Sequence, residues 1–138
     1  MGEPVLLDTG PLVAIFLRRD ANHACCIAEF GKLRMPPITC WPVITEAVWL
    51  LRSSIPAIRS LLSMINVGEI RLSHVDEHSA EFLGEFLSKY HKLGVDLADA
   101  TLAYIAERDG METVFTLDRR DFSVIRLSGN RALSIIPA

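Results

Sequence analysis

The chain has 138 residues, about one domain's worth, and half of them are hydrophobic, with a mean hydropathy of +0.29, which excludes a disordered chain. A formal net charge of −3 argues against a histone-like coat for duplex nucleic acid, although 11 of its 14 basic residues are Arg, the side chain that grips phosphate in a fork. The longest apolar run, Pro11 to Leu17, falls well short of the ~20 residues a bilayer span needs, and the N-terminus lacks the basic flank and apolar core of a signal peptide.

A cytoplasmic protein with no membrane segment is therefore expected. Cys25, Cys26 and Cys40 fit this: an odd count with two neighbours suits neither a disulfide framework nor a zinc knuckle, and reduced thiols are expected.

In chain order, Val5-Leu6-Leu7 reads as a short, wholly apolar strand, ended by Asp8-Thr9-Gly10, and Pro11 opens a helix. Asn22 to Leu33 reads as a second helix, broken by Met35-Pro36-Pro37. Ile38 to Trp41 is a weak strand, and Pro42 starts a helix to about Arg52. Ser54 caps a helix from Pro56 to about Asn66, which Gly68 stops. Glu69 to Val75 alternates like a strand, and Asp76 caps a long helix to about His91, ended by Leu93-Gly94. Asp96 to Asp109 forms another helix, closed by Gly110. Thr113 to Leu117 is the clearest strand, followed by a short turn or helix over Arg119–Ile125 and a last strand, Leu133 to Ile136. Apolar strands alternating with helices imply one domain of three layers, α/β/α, around a central parallel sheet.

In open parallel sheets, ligands bind beyond the carboxyl ends of the strands. Asp8 and Asp118 each follow an apolar strand and should emerge together at that end. Asp99 lies in the first turn of the helix before Thr113, near the same end, and Glu46 lies in the helix that Pro42 opens. Converging carboxylates repel, by about 4 kcal/mol for two unit charges at 4 Å and an effective dielectric of 20. A hard divalent cation such as Mg²⁺ or Mn²⁺ relieves that repulsion. Singly, each acid has a plain reading: Asp96 and Asp99 as a helix-capping pair, Asp8 and Asp118 as turn residues, Glu46 as an exposed helix charge. Their joint placement is what points to a site.

These segments resemble the PIN domain. The resemblance rests on Val5-Leu-Leu-Asp8-Thr-Gly10, on Val43-Ile-Thr-Glu46-Ala-Val-Trp49, on Asp96-Leu-Ala-Asp99-Ala-Thr-Leu-Ala103 and on Val114-Phe-Thr-Leu-Asp118-Arg-Arg-Asp-Phe122, and so spans nearly the whole chain. It is nearest to the VapC-type toxins of bacterial and archaeal toxin–antitoxin pairs and their PilT N-terminal-like relatives. The resemblance implies a Mg²⁺- or Mn²⁺-dependent endoribonuclease, with Asp8 and Asp99 as the main metal ligands. Glu46 and Asp118 would complete the acidic pocket, and Thr9 and Thr116 would orient the acids. The roles of Asp96 and Asp121 stay open, as further ligands or not. A metal-bound water would attack phosphorus without a covalent enzyme intermediate. Arg119 and Arg120, next to Asp118, are candidate phosphate contacts, with a solvated turn pair as the equal alternative. A small antitoxin protein and a second copy of the chain are the implied partners.

Other features carry less. His74 and His78 have a zinc-like spacing, but Asp76 starts a helix between them and separates their faces. Trp41 and Trp49 are expected in the core. The apolar helix within Ile55–Val67 is expected to be buried, with a partner surface as the alternative. A haloacid-dehalogenase-type phosphatase needs a second Asp where Gly10 stands, and a phosphorelay receiver needs a lysine after a late strand, whereas Lys32, Lys89 and Lys92 follow none. A non-catalytic PIN module that binds RNA or a protein is the remaining rival.

Overall fold

β1 (Val5–Leu7) is fully buried and lies at the centre of an all-parallel sheet with β2 (Ile38–Thr39), β3 (Arg71–Leu72), β4 (Thr113–Phe115) and β5 (Ser134–Ile136), in the order β3-β2-β1-β4-β5. A computed structural model describes residues 2–138. The helices are α1 (Thr9–Phe16), α2 (His23–Lys32), α3 (Trp41–Leu50), α4 (Ile55–Asn66), α5 (Ala80–Lys89), α6 (Leu97–Asp109) and α7 (Arg119–Val124). They flank the sheet in the expected α/β arrangement. β1 and β4 are too apolar to be edges, and both are wholly buried.

The order places a topological switch between β1 and β4: the chain leaves β1 toward β2 and β3, then returns to β1's other side as β4. Crevices at the carboxyl ends of parallel strands open at such points. One continuous cluster, including Leu6, Leu7, Leu12, Ile44, Leu102, Ile105, Val114, Phe115 and Phe122, fills the interior.

Several expected elements are shorter than the sequence suggested. The alternation over Glu69–Val75 gives only the two-residue β3, because an edge strand needs few ladder bonds. β4 ends at Phe115, although the Thr116 N–H still donates to the Ile136 carbonyl at 3.0 Å, and Leu117 turns to line a cleft. Trp41 belongs to α3, with Cys40 as its N-cap, and not to β2. Asp76 does cap the next helical segment, but a 3₁₀ turn over Glu77–Ser79 precedes α5, and a second over His91–Leu93 follows it.

Trp41 and Trp49 are exposed, not core: 54% and 63% of their surface is open. The buried stripe of α3 is Val43, Ile44 and Ala47, continued by Leu51, and the tryptophans lie off that stripe. In α4 only Leu61 is fully buried, while Ile55, Leu62 and the adjoining Val67 are exposed, so the expected burial of this segment holds for one side only.

Cys25 is exposed, Cys26 and Cys40 are buried, and all three are free thiols. Burial pushes the Cys26 thiol up to about 11 and the Cys40 thiol up to about 12, which keeps both protonated and unreactive. No helix among the described residues is long and apolar enough to cross a membrane.

Candidate active site

Strand register builds the site. Val5, Leu6 and Leu7 stand beside Thr113, Val114 and Phe115, so the next residues, Asp8 and Thr116, emerge side by side at the switch point. The Asp8 N–H donates to the Phe115 carbonyl at 3.0 Å, extending the ladder by one bond. The Thr116 hydroxyl donates to Asp8 Oδ2 at 2.7 Å and accepts the Asp118 N–H at 2.9 Å. A single buried hydroxyl thus fixes both the carboxylate after β1 and the turn after β4. Opposite, the Thr9 hydroxyl donates to Glu46 Oε1 at 2.7 Å, tying the start of α1 to α3.

The remaining acids sit at helix starts. Asp96 and Asp99 form a reciprocal capping box at α6: the Asp99 N–H donates to Asp96 Oδ1 at 2.9 Å, and the Asp96 N–H to Asp99 Oδ2 at 3.0 Å. Gly94, in the left-handed region at φ +75, turns the chain into it. Asp118 caps α7 by accepting the Asp121 N–H at 3.2 Å. Asp96 and Asp99 are thus the expected capping pair, Asp118, read as a turn residue, caps α7, and the same residues also converge.

Asp8, Glu46, Asp96, Asp99, Asp118 and Asp121 line one open cleft of about 480 Å³, together with Thr9, Gly10, Leu50, Gly94 and Leu117. Six carboxylates and no basic side chain form its wall. Gly10 lies close against Leu117: a Cβ on it would stand 3.4 Å from that side chain, at the near edge of ordinary van der Waals contact. Sequence reading placed the acids but passed over Leu50 and Leu117, and Gly10 only marked a turn; the clue was its place between Asp8 and the helix-opening Pro11.

The electrostatic cost of the arrangement is visible in the acids. Burial pushes Asp8 up to about 6; the Thr116 hydrogen bond offsets part of that, and the charges of Glu46 and Asp96 add to it. Asp99 is raised to about 8, first by burial and then by the charges of Asp8 and Asp96. Burial and the Asp96 charge also raise Glu46, and Asp121 is raised by burial and its neighbour Asp118.

Arg119 and Arg120, read equally as phosphate contacts or as a solvated turn pair, stand apart from the acids. Arg119 Nη1 donates to the Pro137 carbonyl at 2.7 Å, which ties it to the C-terminal strand, and neither Arg119 nor Arg120 lines the cleft. His74 is exposed and His78 turns back to Asp76 at 3.2 Å, so the two histidines form no joint site.

Among the described residues no three His, Cys, Asp or Glu side chains stand together so as to hold a metal ion as they are placed. The donors nevertheless fit a hard divalent ion by chemistry. Asp8, Glu46 and Asp99 each use one carboxylate oxygen in a hydrogen bond to a threonine or a backbone N–H, leaving the second for a ligand. No lining cation competes with an incoming ion.

Thr116→Val is expected to destabilise the fold by about 1–3 kcal/mol, because the Asp118 N–H and the Asp8 carboxylate lose their shared partner. Thr116→Ser should recover most of this, as read by thermal melts.

Fold and site together define a class: a parallel α/β domain with a carboxylate-lined cleft at the switch point of its sheet. The chain belongs to the PIN domain family, whose family model matches residues 5–126. It is 27% identical over 139 residues to Ribonuclease VapC26 of Mycobacterium tuberculosis, covering 96% of this chain and 100% of that one. Among solved structures, it resembles VapC20 of Mycobacterium tuberculosis, described as a sarcin–ricin loop cleaving toxin, with a TM-score of 0.78 and 20% identity over 86% of this chain and 93% of that one. It also resembles VapBC2 of Rickettsia felis, solved bound to a DNA fragment from its promoter, with a TM-score of 0.64 and 16% identity over 95% and 97%.

Proposed function

We propose that this chain is a ribonuclease of the VapC type, a single-domain enzyme that hydrolyses RNA phosphodiester bonds in the acidic cleft with Mg²⁺ or Mn²⁺. The observation that carries the reading is the cleft itself: six carboxylates and no basic residue, at the one place where a parallel sheet opens to ligands. The full-length likeness to a protein named as a ribonuclease supports it.

Asp8 and Asp99 are the residues that would hold the ion, with Glu46 and Asp118 closing the ring of negative charge and Asp96 and Asp121 beside them. The ion, when bound, supplies Lewis-acid polarisation of the phosphate and a water acidic enough to attack phosphorus. Thr116 holds Asp8 in place, and Thr9 holds Glu46. Buried Asp8 presents its charge in a low-dielectric wall, where it acts on a ligand more strongly than in water. Glu46, whose affinity for a proton is raised by burial and by the Asp96 charge, would serve as a proton acceptor on the wall of the cleft.

The toxin role, a small antitoxin partner and homodimerisation are part of the same proposal, as is a cytoplasmic setting. Structural neighbours described as VapBC complexes support an antitoxin. Ile55, Leu62 and Val67, exposed along α4 and its end, offer apolar surface to a protein partner.

The direct experiment is cleavage of RNA by purified chain with and without Mg²⁺ or Mn²⁺. Cleavage that needs the ion and stops on chelation is expected. Binding of RNA without cleavage under any divalent ion would identify a non-catalytic PIN module instead.

A further inference from the structure

Trp41 and Trp49 stand two helical turns apart on the open side of α3, and with Leu97 and Ala98 at the start of α6 they line an apolar groove of about 530 Å³. Large aromatic side chains are costly to leave in water, and a tryptophan more than half exposed is unusual for an isolated chain. The groove shares two walls, Glu46 and Asp96, with the acidic cleft, so the two form one continuous surface. The Thr45 hydroxyl, between the tryptophans, is committed to the Trp41 carbonyl at 2.9 Å and so is already satisfied. The Arg52 guanidinium lies 4.0 Å over the Trp49 ring, placing a cation on one face of the indole.

We propose that this groove is a nucleobase-stacking subsite, which takes a base flanking the scissile phosphate of a single-stranded stretch of RNA; this rests on the nuclease reading above. An RNA whose phosphate lies in the cleft carries its neighbouring base to the groove at high effective concentration. Indole faces bind any base through its π-face, and Arg52 adds a cation beside the adjoining backbone. A second copy seated on the same groove would also have to cover the Glu46 and Asp96 carboxylates, at a desolvation cost, whereas a flat, uncharged base on the indoles leaves them facing the cleft.

The test uses the full chain with Mg²⁺ and a short single-stranded RNA. Trp41 and Trp49 are the chain's two tryptophans, so intrinsic fluorescence reports on this groove. RNA is expected to quench that emission, and an oligonucleotide abasic beside the cut is expected to bind and leave it unquenched. Trp41→Ala and Trp49→Ala should each raise the half-saturating RNA concentration about 10–100-fold, the range aromatic stacking supplies, with a smaller change in the single-turnover maximum. Trp49→Phe should recover most of the loss. Emission indifferent to RNA, or variants that cleave like wild type, would overturn the subsite and leave the nuclease reading standing. Weaker cleavage that accompanies a halved mass in light scattering would also overturn it, giving the groove to a second copy. A wild-type chain that cuts no RNA would instead overturn the nuclease reading, while base-dependent quenching would still support the subsite.

Discussion

Asp8→Asn is expected to lower metal-dependent RNA cleavage by about 1,000-fold, the scale of removing several kcal/mol of charge stabilisation, while the metal-free fold becomes more stable. The two effects share one cause. Asp8 is 7% exposed and its carboxyl is raised from 3.8 to about 6, so ionising it in the fold at neutral pH costs about 3 kcal/mol. Asparagine keeps an oxygen to accept the Thr116 hydroxyl but carries no charge, so about 1–3 kcal/mol should return as stability, visible as a melting temperature several degrees higher in chelator. Asp99→Asn should behave alike, with a smaller gain, because its carboxylate also caps α6. Activity and stability moving in opposite directions separates a functional charge from a structural one: a merely structural acid would lose both together.

The second large effect is in pH and metal. The raised acids hold their protons more tightly in the fold than in the unfolded chain, so their contribution is most favourable below about 4. It is lost as pH rises through about 6 for Asp8 and about 8 for Asp99. Asp76, Glu107 and Asp109 are shifted down, so their contribution is lost only as pH falls below their ordinary range, outside this window. Metal-free protein is therefore expected to melt lower at pH 8 than at pH 5.5. Mg²⁺ must displace those protons, so its stabilisation should grow over the same interval and oppose that fall. Thermal melts at the two pH values, with chelator or Mg²⁺, read this directly. In Asp8→Asn both the metal-free slope and the Mg²⁺ effect should shrink.

Much of the site was legible because strands of pure core residues have little freedom in where they end. Val5-Leu6-Leu7 and the strand from Thr113 had to be interior, and parallel neighbours put Asp8 and Asp118 at one end. The capping pair Asp96 and Asp99 and the turn residue Asp118 had ordinary explanations that also place them correctly, since helix starts and strand ends meet at the same edge of a parallel sheet. The tryptophans were misread because hydrophobicity says that a side chain prefers burial, while helical phase decides which residues receive it, and Val43, Ile44, Ala47 and Leu51 already occupied the buried stripe of α3. Closeness in sequence to Asp118 says little of the long Arg119 side chain, which reaches the Pro137 carbonyl just beyond β5. β3 and α5 lost length where edge position and a 3₁₀ start, neither visible in periodicity, set the boundary.

Crystals of the wild-type protein soaked in Mn²⁺ offer the most direct measurement, through the anomalous signal of the ion. A peak between the carboxylates of Asp8 and Asp99, absent from Asp8→Asn crystals treated alike, is the predicted result. Full occupancy elsewhere on the surface with an empty acidic cleft would contradict the account.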